Sequence, residues 1–241
     1  PWHDRALIGT TDTAIDTPTL EPLAREDEID MILETAGGYL HRRPTRDDIM
    51  SVFCGIRPLV KESSSKSTAA LSREHAIHVS GSGLLTIAGG KWTTYRKMAE
   101  DCIDHAATLG QLDEHACTTK TLRIHGHVDD PGEFDELRLY GSDAGAVSEL
   151  IDSSAEFSAV IHPRLPIRAG QIAWAVRNEM ARTLDDVLAR RTRSLLLDVA
   201  ATREAAPAVA ALLASELGKG EDWQRAQVEA FESITAAHGP S

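Results

Sequence analysis

Between positions 84 and 109 the spacing of apolar residues changes period. Leu84, Leu85, Ile87 and Ala88 form a short continuous apolar run, the pattern of a strand covered on both faces. From Tyr95 onward the apolar positions fall at Met98, Ala99, Cys102, Ile103, Ala106 and Leu109, the spacing of one helix face. The same reading predicts a strand over 1–13 and a helix over 26–40, with Ile29, Ile32, Leu33 and Ala36 apolar and an end near Gly37-Gly38. A further strand is predicted over 49–56, and a hairpin of 74–79 with 84–88 around Gly81-Ser82-Gly83. The Ser-rich stretch 62–68 has no hydrophobic pattern and reads as a surface loop. Residues 120–125 read as one last strand. Beyond about 135 the period is helical over 143–151, 169–180, 184–197, 203–217 and 223–236. Gly218 stands as a helix stop, and Pro207 falls in the first turn of its predicted helix, where proline is tolerated.

These elements describe an α+β chain: a partial β-sheet with a strand–helix unit, then an all-helical C-terminal domain. The composition changes in the loop 127–132, so the expected domains are 1–126 and 127–241. The opening residues read as a strand already in mid-sheet with no initiator methionine, which suggests a fragment.

Hydrophobic residues make up 42% of the 241 positions, enough for a sizeable core. The formal charge of −12 provides no net basic field, which argues against nucleic acid as principal partner. Cys54, Cys102 and Cys117 are widely spaced and form no CxxC pair, which reads as reduced intracellular thiols. No apolar run approaches the ~20 residues of a bilayer span, while peripheral contact with a membrane surface needs only an amphipathic face.

Candidate chemistry concentrates between the strand and the helix. Gly89-Gly90 lets the backbone approach a ligand with no Cβ in the way. The helix start aims unpaired N–H groups and about half a positive charge at whatever lies there. An electron-rich group fits: a phosphate, a carboxylate or a reduced flavin ring. A tight connection with a solvated Lys91 is the simpler alternative. Against it, a cation at a helix N-terminus opposes the dipole by about 0.3–1 kcal/mol unless an anion compensates.

Arg57 is held extended by Pro58 and can grip a phosphate or carboxylate with two parallel hydrogen bonds, or simply form a salt bridge. Arg73 could join it, unless Glu74 neutralises it. His75 with His78, and His125 with His127, lack a third ligand at recognisable spacing, so no metal is assigned. Arg190-Arg191-Thr192-Arg193 reads as a structural basic stretch that docks the helical part against acidic groups of the first domain.

Four segments, in order, carry a resemblance: Pro1-Trp-His-Asp-Arg-Ala-Leu-Ile-Gly-Thr-Thr-Asp12, Gly55-Ile-Arg-Pro-Leu59, Ser72-Arg-Glu-His75 and Gly83-Leu-Leu-Thr-Ile-Ala-Gly-Gly-Lys-Trp-Thr-Thr-Tyr-Arg96. Together they resemble FAD-dependent, quinone-linked glycerol-3-phosphate dehydrogenase, and Ala189-Arg-Arg-Thr-Arg193 is similar to that family's C-terminal domain. The resemblance implies oxidation of sn-glycerol 3-phosphate to dihydroxyacetone phosphate, with hydride passing to the flavin and electrons to ubiquinone or menaquinone. It implies a cytoplasmic protein, or one attached peripherally to the inner face of the cytoplasmic membrane. A homodimer is left open.

By this resemblance Arg57 looks like the residue that grips the substrate phosphate, with Arg73 assisting. Lys91 looks like the catalytic lysine beside flavin and substrate. Gly89, Gly90, Lys91, Trp92 and Thr93 match the segment covering the flavin's O2/N1 edge. The family's Gly-x-Gly-x-x-Gly unit for the FAD pyrophosphate is not among these residues. This chain alone is therefore expected to bind FAD weakly or not at all and to have no turnover. Two alternatives stand beside this reading: an oxidase of the same substrate using O2, and a non-catalytic phosphate-binding or assembly module.

Overall fold

The computed structural model of the chain describes residues 1–57, 75–113 and 115–239, and of 131–135 only the backbone. The Ser-rich stretch 62–68, Arg73 and Glu74 lie outside the described residues. In chain order the elements are α1 (Glu26–Tyr39), β1 (His75–Val79), β2 (Leu85–Gly89), α2 (Tyr95–Gly110), α3 (Ala144–Asp152) and α4 (Ala155–Ser158). They continue with β3 (Val160–His162), β4 (Leu165–Arg168), α5 (Ala169–Asn178), α6 (Ser194–Leu197), α7 (Val199–Leu217) and α8 (Glu221–Ala236). The chain is α+β, with two small antiparallel sheets and a mainly helical C-terminal part. It packs as two compact units, Pro1–Gly55 with Gly126–Ser241, and Ile56–His125.

The larger unit has one continuous core. In β4 the burial alternates, with Leu165 and Ile167 inward and Pro166 and Arg168 outward, as the strand period requires. Ile172, Ala175 and Val176 of α5 meet Ala205, Val209 and Leu213 of α7, and Phe231 of α8 closes the cluster at 2% exposure. Alanines at 201, 205, 206 and 210 keep the buried side of α7 flat, so its neighbours approach closely. Asp198 caps α7 by accepting from Ala201 N at 2.9 Å, and its other oxygen lies 3.4 Å from Arg164.

The N-terminal residues join this unit without forming sheet. Trp2 packs against the core, and Arg5 Nη2 donates to the Arg164 carbonyl at 3.3 Å. Val199 N donates to Met50 O at 3.0 Å, Val52 N to His238 O at 2.9 Å, and Ser51 Oγ to Leu195 O at 2.9 Å. The strands predicted over 1–13, 49–56 and 120–125 are therefore not formed. A strand needs a neighbour for its ladder; the backbone at 50 and 52 is taken instead by Val199 at the start of α7 and by His238 in the turn after α8.

Other boundaries shift for local reasons. The helix predicted over 184–197 is a π-helical segment at Asp186–Arg191, a left-handed Arg193 (φ 57) and then α6. Buried Thr192 drives the break, bonding Val187 O through both N (2.9 Å) and Oγ1 (2.8 Å). Pro207 sits inside α7, not in its first turn, because Asp198 starts the helix earlier than the apolar pattern indicates. Gly218 ends α7 at φ +64, as expected. The hairpin β3–β4 interrupts the helical region; its strands are too short for a period of two to show in the sequence.

Arg190 pairs with Asp185 and Asp186, and Arg191 donates to the Glu179 carbonyl at 2.6 Å. These contacts hold the helical part to itself, which corrects their expected role of docking against the first domain. Arg193 acts on the N-terminal segment: burial of the ring, with the Arg193 and Arg138 charges behind it, pushes His3 below its ordinary value.

The smaller unit is the predicted hairpin and helix. β1 and β2 pair antiparallel with Ile77 opposite Ile87. Their turn is closed by Gly83 N to Ser80 O and Ser80 N to Leu84 O, both 2.9 Å. Among its described residues not one side chain is fully buried. The apolar run of β2, predicted to be covered on both faces, is half-buried at Leu85, Ile87 and Ala88.

Candidate functional site

The local sequence dictates the shape of the strand-to-helix turn. Gly89 and Gly90 adopt φ +80 and +74, a conformation that strains any residue with a Cβ. A Cβ on Gly90 would also lie 2.3 Å from Met98 Sδ, so the helix side chain closes over the glycine. Lys91 then turns back to extended backbone (φ −141) and opens a 3₁₀ turn over Trp92–Thr94 that runs into α2. Thr94 locks this turn: its hydroxyl accepts from Lys91 N at 3.1 Å and donates to Lys91 O at 3.0 Å.

The amides of Trp92 and Thr93 have no backbone acceptor among the described residues. Two N–H groups, a helix start and the Lys91 ammonium thus share one exposed turn. Trp92 is 87% exposed and its ring lies 5.6 Å from that of Tyr95. The turn can hold an electron-rich group against donors and cap it with an aromatic plane.

Ion pairs fix α2 beneath the hairpin. His75 Nε2 lies 3.0 Å from Asp101 Oδ2, whose other oxygen takes Lys97 at 2.7 Å. The Lys97 hydrogen bond, with His75 behind it, holds the Asp101 carboxyl below its usual range. His75 thus ties β1 to α2 through its contact with the Asp101 carboxylate. It also lies three residues from His78, on the other face of the strand. Arg96 reaches Glu100 at 2.5 Å and Thr119 Oγ1 at 3.3 Å, tying the stretch after α2 back to the helix.

Of the residues singled out from the sequence, Gly89, Gly90, Lys91, Trp92 and Thr93 are brought together in this turn. Arg57 is exposed at the end of a described segment, and Arg73 lies outside the described residues. Sequence reasoning placed Thr94 at the helix start but gave it no role; its hydroxyl accepts from Lys91 N, the place that Glu or Gln takes in a capping box. It also missed a groove of about 370 Å³ in the larger unit, lined by Ile8, Gly9, Thr10 and the Met31, Ile32 and Tyr39 side of α1. Nothing in the linear pattern links residues 8–10 to a helix face some twenty positions later.

Comparison with known proteins places these elements. The family model described as the C-terminal domain of alpha-glycerophosphate oxidase matches residues 85–227, from β2 through the glycine turn into α8. A probable mitochondrial glycerol-3-phosphate dehydrogenase of Caenorhabditis elegans is 37% identical over 252 residues, covering 95% of this chain and 35% of that protein. The mitochondrial glycerol-3-phosphate dehydrogenase of Homo sapiens is 34% identical, covering 95% and 34%. The crystal structure of the glycerol-3-phosphate dehydrogenase from Bacillus halodurans complexed with FAD superposes with a TM-score of 0.73 at 29% identity. It is matched over 95% of this chain and 48% of its own. The chain thus spans about a third of the length of the curated relatives it matches.

Proposed function

The chain belongs to the family of the C-terminal domain of alpha-glycerophosphate oxidase, and from that premise we propose that it forms the flavin-capping and helical part of an FAD-dependent glycerol-3-phosphate dehydrogenase. The reaction is the oxidation of sn-glycerol 3-phosphate to dihydroxyacetone phosphate. The observation that carries the reading is the turn at Gly89–Thr93: two amides with no backbone acceptor among the described residues and an exposed lysine, inside the segment that the family model matches.

The turn fits a flavin edge in its donors and in its lack of side-chain bulk. A Cβ at Gly90 would displace Met98, and the Trp92 and Thr93 amides have no backbone acceptor among the described residues. FAD, when bound, would supply the two-electron acceptor that oxidation of the substrate's secondary alcohol requires. Gly89 and Gly90 would let the backbone approach the ring edge, and the Trp92 and Thr93 amides would be the donors available to it. Lys91 adds a full positive charge where negative charge accumulates during the reaction, and so acts on the transition state more than on binding. Arg57, with Arg73, grips the phosphate through charge-assisted hydrogen bonds that differ little between ground and transition states.

In the same proposal, 1–126 carries the ligand residues and 127–241 is the helical domain. Electrons go to a quinone at a membrane surface met peripherally from the cytoplasmic side. No helix among the described residues is long and apolar enough to cross a membrane. O2 is the second acceptor to consider, because the matching family is named for an oxidase while the relatives are named dehydrogenases.

The test uses the full-length polypeptide containing these residues, loaded with FAD. Reduction of a quinone analogue that requires glycerol 3-phosphate supports the proposal; peroxide release instead assigns O2 as acceptor. Absence of any oxidation of glycerol 3-phosphate sinks it.

A further inference from the structure

Lys91 stands at the cap position of the turn that opens α2, where a serine, threonine or aspartate ordinarily accepts an amide two or three residues on. An ammonium has donors only and cannot do this. The order of the turn comes from the opposite direction. The Thr94 hydroxyl accepts from Lys91 N at 3.1 Å and donates to Lys91 O at 3.0 Å, and the Thr94 amide donates to the same oxygen at 3.0 Å.

Lys91 N belongs to the peptide plane before its Cα, and Lys91 O to the plane after it. With both planes held, φ −141 and ψ 157 are set, and with them the direction of the Cα–Cβ bond. The far end of the side chain has no such hold. Its ammonium makes no ion pair or hydrogen bond among the described residues, and the residue is exposed. A flexible four-carbon stem with a free tip points only as well as its root is aimed. Other contacts bring the chain to that root without touching it. Gly89 ends the β1–β2 ladder opposite His75, which lies 3.0 Å from Asp101 of α2, and Met98 leaves no room for a Cβ on Gly90. Thr94 makes the last connection, and it is exposed, so its place in the turn is not that of a core residue.

We infer that Thr94 is a positioning residue: by holding both peptide planes of Lys91 it aims the ammonium at the reacting ligand before that ligand arrives. This rests on the proposed function, in which Lys91 acts on charge that develops during the reaction. A charge placed in advance needs no reorganisation at the moment of reaction, and that advantage is lost when the cation must be gathered from many rotamers. Because the Thr94 hydroxyl is directed at Lys91, the Trp92 and Thr93 amides keep no backbone acceptor among the described residues and stay available to the ligand.

The test uses the full-length, FAD-loaded polypeptide, with rates expressed per bound FAD. Thr94→Val keeps the branched shape and removes both hydroxyl bonds. It should lower kcat about 10- to 30-fold and change KM for glycerol 3-phosphate by less than about 3-fold. Thr94→Ser restores the hydroxyl and should return kcat to within about 3-fold of the parent. Added to Lys91→Ala, Thr94→Val should cost less than about 3-fold more, since the group it aims is gone. Two further readouts need no turnover. The midpoint potential of the bound flavin should become more negative in Thr94→Val and keep the parent value in Thr94→Ser, because a poorly placed cation stabilises the reduced, negatively charged ring less. In the 241-residue chain, the Lys91 amide should exchange with solvent at least about 10-fold faster in Thr94→Val than in the parent or in Thr94→Ser.

A kcat within about 3-fold of the parent in Thr94→Val overturns the inference, as does a rise in KM at constant kcat. So does an equal loss in Thr94→Ser, which would make the methyl group the working part, or an undiminished loss on the Lys91→Ala background, which would leave an ordinary helix cap. Unchanged exchange of the Lys91 amide in Thr94→Val overturns it at the level of geometry, whether or not that variant binds FAD. If the parent oxidises glycerol 3-phosphate and the variants behave in one of these ways, only the inference fails. If the parent has no such activity, the functional reading fails, and the exchange rates still report whether Thr94 holds Lys91.

Discussion

The helical unit and the hairpin–helix unit solve burial in opposite ways. In the first, side chains from α5, α7 and α8 fill one interior, and Ile172, Val187, Leu188 and Leu213 are wholly removed from water. In the second, β1, β2 and α2 contact one another, yet Leu84, Trp92, Tyr95 and Ile103 stay more than half exposed. Its contacts are instead largely polar: His75, Lys97 and Asp101, then Arg96, Glu100 and Thr119. Exposed ion pairs contribute about 0–1 kcal/mol each, and among the described residues of this unit no fully buried side chain adds to them. The contrast fits their proposed tasks. A scaffold carries its own stability, whereas a surface built around a cofactor leaves its apolar side to be covered by what it binds.

The largest effect separates the two units directly. Phe231→Ala should cost about 3–5 kcal/mol of unfolding free energy, read by urea denaturation of the 241-residue chain. Ile87→Ala, half-buried in β2, should cost no more than about 1 kcal/mol. Equal costs would mean the small unit has a core after all. In the full-length enzyme the order of importance reverses. Lys91→Ala should lower kcat by about 10²–10³-fold with a smaller change in KM, and Arg57→Ala should raise KM by about 10- to 100-fold with kcat nearly kept. The opposite pattern in steady-state kinetics would exchange their roles.

A smaller effect probes the scaffold's polar joints. Asp198→Ala removes the α7 cap and the partner of Arg164, and thermal melting should show a loss of about 1–2 kcal/mol. Smaller still is Asp186. Burial pushes its carboxyl up, but the Arg182 and Thr183 amides and the Thr183 hydroxyl outweigh this and hold it below the ordinary value. A depressed acid contributes stability that is complete above the unfolded pKa of about 3.9 and is lost as pH falls through the folded value. Melts of the 241-residue chain between pH 6 and 3 should therefore converge with those of Asp186→Asn at the acid end; a constant gap would remove Asp186 from the acid response.

Short-range pattern in the chain was sufficient for much of the architecture. The hairpin around Gly81-Ser82-Gly83, α1, α2, and the Gly218 stop follow from period and from glycine's freedom at positive φ, all local effects. The glycine–lysine–threonine turn was legible for the same reason: its conformation is set within six residues. Only the tertiary structure decided the rest. Strand-like residues at 6–11 and 49–56 hold the necessary side chains, but a ladder requires a neighbour the local sequence does not name. The break at Thr192 needed a buried hydroxyl facing Val187, and the early start of α7 needed Asp198 where Arg164 reaches it. Period and propensity act over a few residues and can be read along a line. Pairing, burial and charge compensation depend on which distant segment arrives alongside, and that is a property of the folded molecule.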